Sequence, residues 1–350
     1  RAMKKILQAI DAGGWGGAEK VVVMISNELA GMGHDVEVWV RRGSLLVEHL
    51  SSEVKVRVVP FINDYEPFTP LLFTRALKTF DVVHVHLGRA ALLSGYAAKF
   101  LPEELRRKLF CHMHLYHKPK HYKGQGQIIC VSKAVENYVK KAMPWVKRTW
   151  VVYNGIDMSG APLAEPLIPK KRDVFRIGLL ASFKAEKGHR DLIKAFGGLS
   201  RRLPVELLLG GEGPLLFEAK KLASDLGVED KVNFLGAVPP EKAFSFWKSL
   251  DVACVPSYAE GFCLSMVEAM ACGLPVVGYA EAALSEVAGE AAVLVPVGDV
   301  DALAAALERV IADESLRKQL SSLSLKRSGL FSAKSMAENL LKAYESALYV

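Results

Sequence analysis

The sequence lacks the features of membrane-spanning and exported proteins. Its 350 residues contain no uninterrupted apolar segment of about 18 residues, the length that a spanning helix requires. The first 14 residues include basic side chains, but their apolar run is short, alternates like a β-strand and then meets Asp11. That is not the pattern of a signal peptide. We therefore expect a cytoplasmic protein.

Cysteine is scarce and shows no metal-binding spacing. Five cysteines are present, an odd number, and no two of them form a C-x-x-C pair. Several lie in apolar runs, where cysteine acts as a small hydrophobic residue. These features fit a reducing cytoplasm best.

Charge is unevenly distributed along the chain. Residues 1–155 hold 23 Lys and Arg against 13 Asp and Glu, a net charge of +10, whereas residues 156–350 hold 22 against 25, a net charge of −3. A positive front half attracts an anionic partner such as phosphate groups or anionic lipid. No recognised nucleic-acid-binding module is present, so we expect no nucleic-acid partner.

Short β-branched runs alternate with helical patterns throughout, which predicts βαβ units and parallel sheets. We predict an α/β protein with two doubly wound Rossmann-like domains, residues 1–156 and 174–330. A proline-containing linker, 157–173, joins them, and an amphipathic helix, 331–350, follows; whether it crosses back to the N-terminal domain is open. Two such domains leave a central cleft between the carboxyl ends of their strands, where ligands bind.

In the stretch SYAEGFCLSMVEAMACGLPVVGYAE, residues 257–281, Glu268 is the one ionised side chain of the otherwise neutral run 262–280, and Glu260 stands just before that run. The pattern predicts a turn followed by a helix whose N-terminus faces the cleft, a suitable seat for phosphate. The side chain of Glu268 is expected to point back toward the N-terminus of this helix. A buried carboxylate requires hydrogen-bond donors, which are either sugar or ribose hydroxyls or a neighbouring lysine or arginine.

Glu260, seven intervening residues and Glu268, followed by AMACGLPVV, resemble the E-x7-E signature of retaining glycosyltransferases of the GT-B fold, especially family 4. Other stretches resemble that family in the expected order and cover nearly the whole chain. They are GGWGGAEKVVVMISNELAGMGHDVEVW, VVYNGID, ASFKAEKGHRDLIKAF, LGGEGPL, VPSYAEGF and VLVPVGDVDALAAAL.

The resemblance implies a catalytic set of His114, Glu260 and Lys187. Glu260 would contact the donor sugar, Glu268 would hold the nucleotide ribose, and Lys187 would neutralise the leaving diphosphate. His114 matches the family's histidine beside the transferred sugar. The implied donor-binding set is Gly16, Gly17, Ser182, Lys187, Glu260, Gly261, Phe262, Cys263, Leu264, Ser265 and Glu268.

This chain departs from the family pattern at three places, one of which is Ala282-Ala283, near where relatives often show a pair of glycines. Ala181-Ser182 stands where many relatives have Gly-Arg, so the diphosphate clamp is incomplete unless Ser182 or Lys184 compensates. Cys263 replaces the commoner glycine after Phe262.

Gly16 and Gly17 lie in the turn after the first strand, where the lack of a Cβ lets a ligand approach; alternatively, they only make the turn.

His84 and His86, like His112 and His114, are spaced to share one face of a strand, and such pairs can bind zinc. No further ligand is evident and the family that the chain resembles is metal-independent, so we predict no metal and no cofactor. For His84 and His86 we expect either a structural or an acceptor-facing role.

We predict a retaining, metal-independent hexosyltransferase that moves a sugar from a UDP-, GDP- or ADP-sugar to a glycan or glycolipid acceptor. The pathway would be cell-envelope polysaccharide or lipopolysaccharide-like biosynthesis. The alternatives are a transferase acting on a small soluble acceptor and a non-catalytic, two-lobed sugar-nucleotide-binding protein.

Two stretches interleave basic with aromatic residues, 114–126 and 138–150. They are either a solvated face or a contact with an anionic membrane surface. The second interpretation predicts a peripheral protein on the cytoplasmic face of the inner membrane.

Overall fold

The computed structural model describes residues 3–171 and 173–348. It divides the chain into two compact units, of which the first comprises Arg1–Gly155 with Ser332–Val350 and the second comprises Ile156–Phe331. The segment predicted as a linker counts with the second unit. Its backbone N–H at Leu167 donates to the Ser245 carbonyl (2.8 Å), and the Lys170 ammonium donates to the Leu250 carbonyl (2.6 Å).

The first unit is a parallel sheet covered by helices. Among its described residues the sheet has seven strands in the order β3-β2-β1-β4-β5-β6-β7, and all pairs are parallel. The strands are β1 (Lys5–Ile10), β2 (Asp35–Val40), β3 (Lys55–Val58), β4 (Val82–His86), β5 (Leu109–Met113), β6 (Gln127–Cys130) and β7 (Arg148–Val151). The helices are α1 (Gly17–Gly31), α2 (Phe68–Thr79), α3 (Gly88–Lys99), α4 (Glu103–Arg106) and α5 (Lys133–Ala142).

The second unit repeats this architecture. Its described residues form a six-stranded parallel sheet in the order β10-β9-β8-β11-β12-β13. The strands are β8 (Phe175–Leu180), β9 (Val205–Gly210), β10 (Val232–Gly236), β11 (Val252–Val255), β12 (Val276–Tyr279) and β13 (Ala292–Val295). The helices are α6 (His189–Leu199), α7 (Leu216–Asp225), α8 (Ala243–Lys248), α9 (Leu264–Ala271), α10 (Ala282–Ala288), α11 (Val300–Ala312) and α12 (Glu314–Ser328). The predicted α/β class with two doubly wound domains is confirmed.

The last helix, α13 (Ala333–Leu348), belongs to the first unit although the second unit precedes it in the chain. Its buried face repeats every three to four residues, as the helical period requires, and packs on that unit. The Tyr344 hydroxyl lies 2.6 Å from His84 Nδ1, and Trp150 Nε1 donates to Ser346 Oγ (3.0 Å). The first unit therefore needs residues from both ends of the chain.

Shortening a buried side chain on α13 should destabilise the first unit selectively. We expect Leu340→Ala, at a fully buried position, to cost about 2–5 kcal/mol of unfolding free energy because it leaves a cavity. Hydrogen exchange should accelerate in β1 and β4 but not in the second sheet. Lys342→Ala, at an exposed position of the same helix, is the control. Equal acceleration in both sheets would show that α13 does not belong to the first unit alone.

Candidate functional site

The candidate donor residues of the second unit lie where its strand order reverses. β8 and β11 are neighbours at the centre of the sheet, and the chain winds outward from them in opposite directions. The loop after β8 carries Ser182 and Lys187, and the loop after β11 carries residues 260–263. Such a switch point at the carboxyl ends of parallel strands is where doubly wound sheets bind ligands.

An ion pair joins these two loops. Lys187 Nζ lies 2.7 Å from Glu260 Oε1, and both side chains are largely buried. Burial by itself would lower the pKa of Lys187, but the charge of Glu260, with smaller contributions from Cys263 and Glu186, raises it above its ordinary value. The site therefore holds a permanent ammonium beside a carboxylate, and the two come from positions 73 residues apart.

Two glycines allow the loops to approach this closely. Gly188 has a φ of +70°, and a Cβ at that position would overlap the Pro256 carbonyl oxygen. Gly211, after β9, has a φ of +131°, and a Cβ there would overlap the Ala181 carbonyl oxygen. The loops after β8, β9 and β11 thus meet backbone to backbone, which only glycine permits.

Glu268 occupies the second turn of α9 and is 7% exposed. Trp247 Nε1 donates a hydrogen bond to Glu268 Oε2 over 3.3 Å. A tryptophan donor was not anticipated from the sequence, because Trp247 lies on α8 and nothing in its local pattern marks it. The carboxylate that the sequence assigns to the cleft is thus held in place by an indole, while Glu260 has the lysine partner.

Cys263 is the N-cap of α9 and has a φ of +74°. A side chain at such a φ is strained, and this explains why a glycine is commoner here. Burial, together with the charge of Glu260, raises the pKa of the Cys263 thiol to about 12, so it stays protonated. Its sulfur lies 3.5 Å from the Ser265 hydroxyl. The strained residue sits directly beside the predicted phosphate seat.

Another network, which sequence reasoning missed, anchors the loop after β11. The buried carboxylate of Asp191 accepts hydrogen bonds from the hydroxyls of Tyr258 and Tyr279, the latter at 2.6 Å. The Tyr258 backbone N–H also donates to the Glu186 carbonyl (2.8 Å). These contacts fix the loop that carries Glu260.

Ser182 and Lys184 occupy the place of the expected arginine. Ser182 is half-buried and lies two residues after β8, at the same sheet edge as Lys187. Lys184 is exposed and, within the described part of the chain, forms no ion pair. Compensation by either residue therefore stays a prediction.

In the first unit, the remaining candidates lie at the carboxyl edge of its sheet. Gly16 is the N-cap of α1, Gly17 is its first residue, and both follow β1. His114 directly follows β5 and is half-buried. Burial, with the neighbouring His117, lowers the pKa of His114 to about 3, so its ring is neutral.

Four histidines form two hydrogen-bonded imidazole pairs at this edge. His86 Nδ1 lies 2.9 Å from His114 Nε2, and His112 Nδ1 lies 3.2 Å from His84 Nε2. The rings of His112 and His114 are stacked with their centroids 4.4 Å apart, and these two rings belong to different pairs. The two hydrogen-bonded pairs are therefore in contact with each other. Burial lowers the pKa of His84, His86 and His112 well below its usual value. Because His84 and His86 are fully buried, the acceptor-facing alternative for them is wrong.

Nitrogen atoms of His84, His86 and His112 lie within 4.8 Å of one another, close enough for a shared metal ion. Most of these nitrogens already take part in hydrogen bonds to neighbouring side chains. The absence of a metal stays a prediction.

Two family models match the chain in succession. The model described as Glycosyltransferase Family 4 matches residues 15–159, and the model described as Glycosyl transferases group 1 matches residues 166–327. The chain belongs to the family 4 glycosyltransferases. The resemblance expected from the motifs is thereby confirmed.

Individual relatives agree with the family 4 assignment. Phosphatidyl-myo-inositol mannosyltransferase of Mycolicibacterium smegmatis is 28% identical over 356 residues, which cover 95% of this chain and 90% of that protein. D-inositol 3-phosphate glycosyltransferase of Corynebacterium jeikeium is 32% identical over 179 residues, which cover 48% of this chain and 43% of the relative. The chain thus matches less than half the length of the second relative.

A solved structure shows the same fold. Anabaena HepE, crystallised in complex with UDP, is 21% identical and has a TM-score of 0.81, with 98% of this chain and all of that chain covered. At this identity the likeness establishes the fold alone. Like HepE, this family 4 glycosyltransferase has the GT-B fold.

The close approach of the loops can be tested at Gly188. We expect Gly188→Ala to cost about 3 kcal/mol or more of unfolding free energy, because it combines a disfavoured φ with a backbone clash. Gly227→Ala is the matched control. Gly227 has a similar φ of +66°, but nothing lies within 4 Å of an added Cβ. Gly227→Ala should therefore lower the unfolding free energy by only about 1–2 kcal/mol. Equal costs in urea unfolding would contradict the contact between the loops.

Proposed function

We propose that this chain is a retaining, metal-independent glycosyltransferase that moves a sugar from a nucleoside-diphosphate sugar to a glycan or glycolipid acceptor. The main support is the ion pair of Lys187 with Glu260 on the switch point of the second sheet, just before α9, the helix that carries Glu268. Membership of family 4 supports the same activity.

In this proposal the second unit binds the donor. The free N–H groups at the start of α9 and the Lys187 ammonium receive the diphosphate, since both present positive charge in a partly buried site. Glu268 accepts hydrogen bonds from the ribose hydroxyls, and Glu260 contacts the sugar. The pairing of Glu260 with Lys187 keeps the ammonium beside the bond that breaks.

The chemistry requires little acid–base catalysis by side chains. The bond between the sugar and the diphosphate breaks, the sugar passes through an oxocarbenium-like state, and the acceptor oxygen attacks from the face that the diphosphate leaves. The leaving diphosphate takes the acceptor proton. Lys187 stabilises the growing negative charge, which is the contribution that a metal ion makes elsewhere.

The donor class is a UDP-, GDP- or ADP-sugar, and Ser182 with Lys184 would complete the diphosphate clamp. The UDP complex of HepE supports a nucleotide donor. The two relatives act, by name, on phosphatidyl-myo-inositol and on D-inositol 3-phosphate. We therefore propose a phosphate-bearing acceptor, which the basic front half of the chain would attract.

Incubation with a panel of UDP-, GDP- and ADP-sugars tests the proposal directly. A transferase releases free nucleoside diphosphate and yields a product with the anomeric configuration of the donor, which NMR resolves. A metal-independent transferase remains active when EDTA removes divalent metal ions. A protein that binds a sugar nucleotide but releases no diphosphate with any acceptor is a binding protein, and an inverted product excludes the retaining mechanism.

Glu268→Gln should weaken nucleotide binding while the protein remains folded. We expect at least a tenfold loss of affinity in calorimetry, because a carboxylate accepting from two ribose hydroxyls is worth about 1.5–3 kcal/mol. Glu206→Gln is the control, since Glu206 lies near the amino end of β9, away from the switch point. Unchanged nucleotide affinity in Glu268→Gln would remove this residue from the donor site.

A separate basic cavity supports peripheral contact with an anionic membrane. It has a volume of about 240 Å³ and opens at the amino ends of β5, β6 and β7. Both basic-aromatic segments contribute to its lining, which includes Arg106, Arg107, Lys123, Trp145, Lys147 and Arg148. Leu109, at the start of β5, lines this cavity, whereas His114 follows the end of the same strand. At 3.3 Å per residue the strand places about 16 Å between the two positions. Among the described residues, no helix has the length and apolarity needed to cross a bilayer.

Removal of two charges at this cavity should weaken membrane binding. We expect Lys147→Gln with Arg148→Gln to lower partitioning onto phosphatidylglycerol-containing vesicles about tenfold or more, since each basic residue contributes about 1 kcal/mol near such a surface. Lys334→Gln with Lys342→Gln makes the same charge change at exposed positions of α13 and should have a smaller effect. Equal losses would indicate dependence on net charge alone, and no binding by the parent protein would reject membrane contact.

A further inference from the structure

The His86–His114 pair ends on a side chain from β1 that has no assigned role. The Gln8 side chain is fully buried, and its Oε1 lies 2.7 Å from His86 Nε2. His86 Nδ1 in turn lies 2.9 Å from His114 Nε2. The three side chains form a chain of hydrogen bonds that runs from the core of the first unit to the half-buried ring of His114.

Gln8 determines the direction of this chain. An amide oxygen only accepts hydrogen bonds, so His86 Nε2 must carry the proton. A fully buried, neutral His86 then has a lone pair on Nδ1, which accepts from His114 Nε2–H. A neutral His114 that carries its proton on Nε2 has an unprotonated Nδ1. That nitrogen takes part in no hydrogen bond within the described residues.

A second chain of hydrogen bonds begins at the nitrogen of the Gln8 amide. Gln8 Nε2 donates to the Tyr344 hydroxyl at 3.5 Å, and that hydroxyl donates to His84 Nδ1 at 2.6 Å. His84 Nε2–H then donates to His112 Nδ1. In this direction His112 carries its proton on Nε2, a buried nitrogen that forms no hydrogen bond. The opposite amide orientation would reverse both chains and place a proton on His114 Nδ1.

Backbone strain marks the same edge of the sheet. Leu87, between His86 and the start of α3, is one of three described non-glycine residues with a positive φ, at +66°. Cys263, beside the donor residues of the second unit, is another. Strain of this kind persists where the surrounding structure fixes a side chain at a working position.

We propose that Gln8 and His86 are positioning residues that hold His114 in the Nε2–H tautomer, so that Nδ1 accepts a hydrogen bond from a substrate hydroxyl. The proposal rests on the function proposed above only in placing His114 against a substrate. The hydroxyl belongs to a sugar, either the transferred sugar or a sugar acceptor.

This assignment defines what His114 does in the reaction. With its one proton committed to His86, the ring has no proton to give to the leaving diphosphate. A neutral ring this difficult to protonate is also a poor base at neutral pH. His114 therefore orients a hydroxyl and leaves proton transfer to the diphosphate.

Nitrogen NMR of the protein labelled with 15N-histidine tests the tautomer. The His114 signals are assigned by their disappearance in His114→Asn. We expect a protonated Nε2 and an unprotonated Nδ1 in the parent protein. A protonated Nδ1 on His114 would overturn the inference whether or not the protein transfers a sugar.

Removal of the Gln8 acceptor separates positioning from folding. The Gln8 side-chain oxygen is the group that accepts from His86 Nε2. Gln8→Met lacks that acceptor; we expect mixed tautomers and about a tenfold loss of kcat/KM, the loss that one neutral hydrogen bond entails. Retention of the parent tautomer in Gln8→Met would overturn the positioning role.

Tyr344→Phe is the control for stability. It removes a buried hydroxyl from the second chain of hydrogen bonds and leaves the His86–His114 bond in place, so we expect lower stability with an unchanged His114 tautomer. A shifted tautomer in this variant would mean that folding stability, and not Gln8, sets the proton position. If His114→Asn keeps full transferase activity, the substrate contact proposed for His114 fails, while the tautomer result stands independently.

Discussion

Parallel strand pairing is the constraint on which both candidate sites depend. Because every strand in a sheet runs the same way, all the loops that follow strands meet at one edge. In the second unit this brings the loops after β8, β9 and β11 into contact, and glycines at Gly188 and Gly211 remove the atoms that would keep them apart. The ion pair of Lys187 with Glu260 is possible only because of that approach.

The two units place different electrostatics at the same kind of edge. In the second unit, a lysine whose pKa is raised lies beside a carboxylate, so the edge carries fixed charges. In the first unit, burial keeps the imidazoles neutral, and hydrogen bonds rather than charges fix their geometry. A charged edge suits a diphosphate, whereas a neutral and rigid edge suits hydroxyl groups. This division agrees with the proposals that the second unit binds the diphosphate and that His114 contacts a sugar hydroxyl.

The sequence predicts the fold well, because the alternation of strand and helix patterns can be read locally. It also predicts a helix that begins between Glu260 and Glu268, and the structure has α9 there. It does not predict the partners of those residues. Trp247 reaches Glu268 from another helix, and Gln8 reaches His86 from the neighbouring strand β1, so neither contact has a signature in the sequence. The sequence also shows that Cys263 is unusual, but only the backbone reveals that its φ is positive. Contacts of this kind depend on tertiary packing.

The central claim is that the carboxyl edge of the second sheet binds the diphosphate of a nucleotide. Hydrogen exchange with UDP, GDP and ADP, each added in turn, tests it most directly. With the nucleotide that binds, we expect slower exchange at residues 261–265 and 182–188, and unchanged exchange in β10, the edge strand of the second sheet. Protection confined to other segments, or no protection with any of the three nucleotides, would contradict it.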